Sequence, residues 1–267
     1  MFDSLGIGEL GLIFVVAMIF IDPSKIGMLA RGLGNLRRKW ANLQRDVKQQ
    51  FDTLTLEENL KESADAVRSA KVALRREALE AVRALPSADR AEAAQAVLYQ
   101  LREWPVYQQA KSLALFCGTR EEIDTESIIR HALAEGKTVY LPRVEDGPAG
   151  STDMKLALIR DYDRDLAEGT FGILEPRSDL PGEDNPTLDL ILVPGTAFDE
   201  RGGRVGRGKG FYDRFLGARG VRSEVRAGLA FEAQIVRKKL PLEPHDQLLD
   251  TLVTEKRRLD YAQPQTA

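Results

Sequence analysis

Residues 188–216 read LDLILVPGTAFDERGGRVGRGKGFYDRFL: a largely apolar run, a loop with glycines at 202, 203, 206, 208 and 210, then a helical pattern. A short apolar run bounded by turn residues predicts a strand buried within a sheet, and such a strand needs partners. Further apolar runs at 112–117, 138–141, 155–159, 225–230 and 251–254 supply them, alternating with helical stretches at about 66–84, 88–103, 125–135 and 209–216. Strands alternating with helices predict a layered α/β domain, its sheet largely parallel and its two faces covered by helices. In sheets of this kind a ligand sits at the carboxyl ends of the strands.

Charge divides the chain. Its 267 residues carry Lys+Arg 38 against Asp+Glu 41, a net charge of −3 that excludes a basic nucleic-acid coat and implies no nucleic-acid partner. Residues 1–51 hold four acids and seven bases, whereas the remainder holds 37 acids and 31 bases. The two parts therefore face different environments. With Cys117 the only cysteine and His131 and His245 the only histidines, there is no disulfide framework and no structural zinc cluster, which suits a reducing compartment.

Residues 5–21, LGIGELGLIFVVAMIFI, form an apolar run interrupted only by Glu9, at the lower limit of what crosses a bilayer core of about 30 Å. MFDS before it lacks the bases of a signal peptide, and no small-residue cleavage site precedes Asp22-Pro23. After Pro23, Ile26, Leu29, Leu33, Leu36, Trp40, Leu43, Val47 and Phe51 make one apolar helical stripe opposite a basic face, which predicts a helix lying at a membrane surface or paired with a partner helix. All nearby Lys and Arg follow the run, so the expected topology is a single-pass inner-membrane protein with its N-terminus outside and its C-terminal domain in the cytoplasm. Residues 52–65 read as a continued solvated helix or a linker, and we place the linker there.

The loop after Leu188–Val193 interleaves its glycines with Arg201, Arg204, Arg207 and Lys209. Glycines let backbone N–H groups approach a ligand, a following helix adds its positive end, and the bases neutralise phosphate, so the pattern predicts a polyphosphate cradle. The spacing Gly203-x4-Gly208-Lys209 imitates a Walker A loop, but Gly210 stands where the Mg²⁺-binding hydroxyl would be. Asp213, four residues after Lys209, would lie on the same helical face and could bind Mg²⁺ there. Asp246 offers a second carboxylate or an ordinary turn residue, and His245 reads as a surface histidine. Lys71 and Arg75, four apart on the first helix, suit either a phosphate grip or a solvated face. Glu122 sits in a loop just after a strand, where ligands bind, or is a plain surface acid. Cys117 at the end of that strand reads as packing rather than as a nucleophile.

MFD, Gly6-x-x-Glu9-Leu10, the short span, the proline and ARGLGNLRRKW resemble the small A/B-type subunits of the twin-arginine protein translocase, closer to the B type, over about 50 residues. That resemblance implies a hinged pair of helices and other translocase subunits as partners, although Asp22-Pro23 replaces the family's Gly-Pro hinge. Over 66–260, AKVALR, EEIDTESIIRHAL, KTVYLPRV, MKLALI, GILEP and above all RVGRGKGFYD resemble the 5-formyltetrahydrofolate cyclo-ligases, also called 5,10-methenyltetrahydrofolate synthetases. The resemblance implies a sugar-phosphate-isomerase-like fold, with ATP as co-substrate and Mg²⁺ as cofactor. It places Lys71, Arg75, Arg204, Val205, Gly206, Arg207, Gly208, Lys209, Gly210, Phe211 and Tyr212 at ATP. Glu122 and Arg207–Phe211 would face 5-formyltetrahydrofolate, and we place Cys117 with them. Asp213 and Asp246 would ligate Mg²⁺, while Lys209 and Arg207 would carry catalysis. The implied reaction moves the γ-phosphoryl group to the formyl oxygen; N10 attacks the resulting iminium phosphate, phosphate leaves, and 5,10-methenyltetrahydrofolate remains.

Overall fold

The computed structural model describes residues 34–146, 152–169, 172–183, 186–217 and 222–261. The apolar run 5–21 lies outside them, as do the side chains of the stripe from Leu36 to Phe51, and among the described residues no helix is long and apolar enough to cross a membrane. The chain divides into two units, Met1–Ala66 and Val67–Ala267. Helix α1, Gly34–Arg83, contains neither proline nor glycine after its first residue and stops just short of Pro86. Residues 52–65 are helical and belong to it, in keeping with the continued-helix reading.

In the second unit, α1 buries Ala78 and Val82, and α2 (Ser87–Arg102) buries Ala93, Ala94, Val97 and Leu101, a stripe at helical spacing. Helix α3 (Pro105–Gln109) starts on proline, and α4 (Glu126–Ala134) is followed by Gly136 at φ +74°. Around them run β1 (Ser112–Ala114), β2 (Thr138–Asp146), β3 (Thr152–Ile159), the short helix α5 (Tyr162–Asp165), β4 (Leu166–Glu168), β5 (Leu174–Pro176), β6 (Gly182–Glu183) and β7 (Thr187–Val193). Then come β8 (Ala197–Asp199), β9 (Arg204–Val205), α6 (Phe211–Gly217), β10 (Arg222–Leu229), β11 (Ile235–Val236), β12 (Thr251–Val253) and β13 (Arg258–Asp260).

Eight strands form the main sheet in the order β13-β12-β10-β7-β1-β2-β3-β6, with β12, β10, β7, β1 and β2 parallel and β13, β3 and β6 antiparallel to their neighbours. Side chains alternate between two cores. Leu113, Leu190 and Leu192 pack with α2 and α4, whereas Ala114, Ile191 and Val193 pack with Phe198, Phe215 and Leu216. The expected largely parallel α/β sheet is present. Helices cover one face, but the other is covered by α6 together with a three-stranded sheet, β11-β8-β9, that the glycine-rich pattern had concealed.

From β1 the chain steps outward through β2, β3 and β6, then returns to lay β7 on the opposite flank of β1. The loops leaving β1 and β7 diverge, opening a crevice at the carboxyl ends of the parallel strands. Asp189 ties the two strands at their other end: its carboxylate accepts the N–H groups of Lys111 at 2.7 Å and Ser112 at 2.9 Å. Those two bonds hold its carboxyl below the usual carboxylate range.

Half of the glycine-rich loop is a hairpin. Ala197 pairs with Val205 and Phe198 with Arg204, and Gly202 turns the chain at φ +86°, where an added Cβ would stand 2.6 Å from the Leu249 carbonyl oxygen. Asp199, buried, closes this turn by accepting the N–H groups of Arg201 at 2.9 Å, Gly203 at 2.8 Å and Leu240 at 2.9 Å. Asp199→Ala should lower the unfolding free energy in chemical denaturation by about 2–4 kcal/mol, since each buried donor left unpaired costs about 1–3 kcal/mol.

Candidate active site

The loops after β1 and β9 meet across the crevice. From the second, the guanidinium of Arg207 donates to Glu122 at 3.2 Å, to Glu121 at 3.4 Å and to the hydroxyl of Thr119. Glu122 turns its other oxygen to the Thr119 N–H at 3.0 Å, and Glu121 also receives Arg83 at 3.1 Å. Burial alone would raise the Glu121 carboxyl, but Arg83 and Arg207 outweigh it and hold the group below its usual range.

Behind this bridge is a cavity with an apolar wall and a polar end. Phe116, Pro142, Val144 and Met154 come from the sheet side, and Ile173 and Leu174 from the β4–β5 hairpin. Such a cavity buries the apolar part of a small ligand, with polar and charged groups to fix its orientation. Of the expected site residues, Cys117, Glu122, Arg204, Gly206, Arg207, Lys209, Gly210, Phe211, Tyr212 and Asp213 line the cavity. Val205 lies in β9, buried away from solvent, and Lys71, Arg75, Gly208 and Asp246 stand outside the wall.

Cavity chemistry differs from residue to residue. Cys117 is partly buried, and burial, followed by the charges of Asp124, Glu175 and Glu126, pushes its thiol up to about 12, which suits packing and not nucleophilic attack. Arg204 is buried, lies 5.9 Å over the Tyr212 ring and donates to Asp213 at 2.7 Å. Burial depresses its pKa, opposed first by Asp213. Its Nε and the Tyr212 hydroxyl are buried with no hydrogen-bond partner among the described residues. Lys209 is exposed, and its ammonium makes no ion pair among the described residues.

Lys71 is not on a solvated face. It is 7% exposed, and its ammonium meets Glu243 at 2.8 Å and Asp246 at 2.5 Å. Arg75, one turn later, donates to the Gly206 carbonyl at 2.7 Å and so holds the loop. Gly208 and Gly210 have φ of +98° and +67°, conformations that favour glycine. Because α6 begins only at Phe211, Lys209 precedes the helix, and the expected common helical face with Asp213 is not formed. Asp213 reaches the site instead through Arg204 and the Gln247 N–H, 3.2 Å from its Oδ1. His245 is exposed, as expected of a surface histidine. Glu243, Glu121 and Thr119 escaped the sequence reading; an acid three residues before Asp246 was the one available signal.

The oxygen donors suit a hard cation. Asp213, in the first turn of α6, accepts the N–H of Gln247, the residue after Asp246, and Glu243, His245 and Asp246 each offer a ligand atom within 4.8 Å of the others.

A family model described as 5-formyltetrahydrofolate cyclo-ligase matches residues 67–255. The chain belongs to the 5-formyltetrahydrofolate cyclo-ligase family. All the expected site residues from Lys71 to Asp246 fall within the match. Among its relatives, the mouse 5-formyltetrahydrofolate cyclo-ligase is 32% identical over 199 residues, 72% of this chain and 97% of the relative. The Escherichia coli K12 enzyme of that name is 34% identical over 176 residues, 64% of this chain and 93% of the relative. The NMR structure of Aquifex aeolicus 5,10-methenyltetrahydrofolate synthetase superposes with a TM-score of 0.62 at 32% identity, over 74% of this chain and 95% of that one. The raised thiol of Cys117 gives this family member a measurable property: at pH 8 its alkylation by iodoacetamide should be about 10³-fold slower than that of a free cysteine, read by mass spectrometry, because each pKa unit costs about tenfold in thiolate.

Proposed function

We propose that the second unit converts 5-formyltetrahydrofolate and ATP into 5,10-methenyltetrahydrofolate, ADP and phosphate, with Mg²⁺ held at Asp213 and Asp246. The observation that carries this reading is the bridge from Arg207 to Glu122, which sets a basic glycine loop directly against an apolar slot for a flat ring. The slot takes the pterin ring and turns its formyl group toward Arg207 and Lys209. Phosphoryl transfer needs alignment and cationic charge more than covalent help, and the loop supplies both. The formyl oxygen attacks the γ-phosphorus as ADP leaves. N10 then attacks the activated carbon and loses its proton, and phosphate departs with the former formyl oxygen. Mg²⁺, when bound, supplies charge neutralisation at the phosphates. Tyr212, its hydroxyl raised by burial, stays protonated throughout.

The test is a spectroscopic assay of the purified chain for ATP-dependent formation of the methenyl product. Lys209→Ala should lower turnover by about 10²–10³-fold, the usual cost of removing one such charge-stabilising group. Asp213→Asn should raise the Mg²⁺ concentration needed for half-maximal activity, with partial recovery at high Mg²⁺. A Lys209→Ala variant with more than a third of wild-type turnover, or an Asp213→Asn variant with unchanged Mg²⁺ dependence, would refute those assignments.

We further propose that residues 5–21 and the basic stripe after Pro23 tether this enzyme to the cytoplasmic face of a membrane. The apolar run and the Lys/Arg asymmetry support this. A translocase subunit carrying a passive C-terminal domain is the alternative, and retention of the site residues favours the enzyme. The full chain should sediment with membranes, and protease added to inverted vesicles should digest the enzyme domain; a protected domain would overturn the topology.

A further inference from the structure

Both carboxylates given to Mg²⁺ above are already engaged by buried cations. Lys71, on α1, lies 2.5 Å from Asp246 and 2.8 Å from Glu243, while the same Asp246 oxygen accepts the Glu243 N–H at 2.7 Å. Arg204 lies 2.7 Å from Asp213, and its side chain is 2% exposed. The Lys71 ammonium donates to both carboxylates, so the two acids together hold it in place.

We infer that Lys71 and Arg204 are resident counter-ions that keep a divalent metal off Asp246 and Asp213 until nucleotide arrives, and that Glu243 is the positioning residue that retains Lys71 when Asp246 turns to the metal. This rests on the Mg²⁺-ATP reading above. A metal arriving alone would take the Asp246 oxygen from Lys71 and leave a buried ammonium beside a divalent ion. Stranding one member of a buried ion pair is costly, and two like charges a few ångströms apart in a partly dry site repel strongly. A nucleotide reverses the balance, because its phosphate oxygens can receive Lys71 and Arg204 as the carboxylates pass to the metal. The buried Arg204 Nε, without a partner among the described residues, is a donor that an arriving oxyanion would satisfy. Glu243 keeps a carboxylate on Lys71 during the exchange, so the ammonium remains where the phosphates arrive. Metal and nucleotide therefore bind with positive, reciprocal coupling.

The experiment is a titration of the full chain with Mn²⁺, followed by electron paramagnetic resonance of the free ion, with no nucleotide present. Wild type should bind Mn²⁺ weakly. Lys71→Met should bind it more tightly by a factor within the usual coupling range, about 5- to 150-fold, and adding Asp246→Asn to that variant should abolish the gain. Glu243→Gln should leave nucleotide-free Mn²⁺ binding weak while raising KM for ATP. If Lys71→Met does not fold, Lys71→Gln carries the same expectation. Micromolar Mn²⁺ binding by the nucleotide-free wild type would overturn the inference and make Glu243, His245 and Asp246 a standing metal site. So would Lys71 variants that gain no affinity. Failure of the cyclo-ligase reading shows separately, as absent methenyl formation or an Mg²⁺ requirement indifferent to Asp213→Asn.

Discussion

Strand β7 is apolar on both sides, and the rest of the second unit follows from covering it. Leu190 and Leu192 need one layer and Ile191 and Val193 another, so the strand can lie only inside a sheet with material on each face. Its neighbours β1 and β10 run parallel to it, and parallel neighbours require crossovers, which is why helices fill the intervals. Because the chain leaves β1 in one direction and returns on the other flank, the two loops above this pair separate. The site is the gap that this topology leaves open.

Polar groups then hold the gap in a fixed shape. Arg207 bridges it, Arg75 holds the Gly206 carbonyl from α1, and Asp199 closes the hairpin beneath. These contacts spread the loop over three elements that are far apart in sequence. The glycines fall into two groups for the same reason. Gly202 and Gly203 serve the buried turn around Asp199, where a Cβ would clash, whereas Gly206, Gly208 and Gly210 shape the exposed stretch that carries Arg207 and Lys209.

Much of this was legible in the sequence, and the gaps have physical causes. Apolar runs locate β1, β2, β3, β7, β10 and β12, because strands with a buried face must be apolar there. The edge strands β6 and β13 and the β8–β9 hairpin are two or three residues long and held by backbone pairing, which leaves no periodicity to read. Glycine and arginine in 201–210 look alike whether they make a turn or a cradle, so the hairpin was hidden inside the loop. RVGRGKGFYD marked residues that line the cavity, but the partners of those residues could not be read. Spacing on one helix places Lys71 beside Arg75; only the fold brings Glu243 and Asp246, more than 170 positions away, onto its ammonium.

The ion pairs also divide the work among the bases. Lys71, Arg75, Arg204 and Arg207 are each fixed by acceptors within the fold, so under the proposed function ordering them costs little when phosphate arrives. Their charge is correspondingly offset by the carboxylates and carbonyls that hold them. Lys209 is exposed and without an ion pair among the described residues, so it keeps its full charge and its side-chain freedom. Fixing a lysine costs up to about 2 kcal/mol of rotamer entropy. In the reaction proposed above, that cost is best met at the transition state, where charge shifts toward the leaving oxygen, and not in the ground state. In the proposed reaction the pinned bases thus define where the phosphates lie, and the unpinned one answers to the charge that moves.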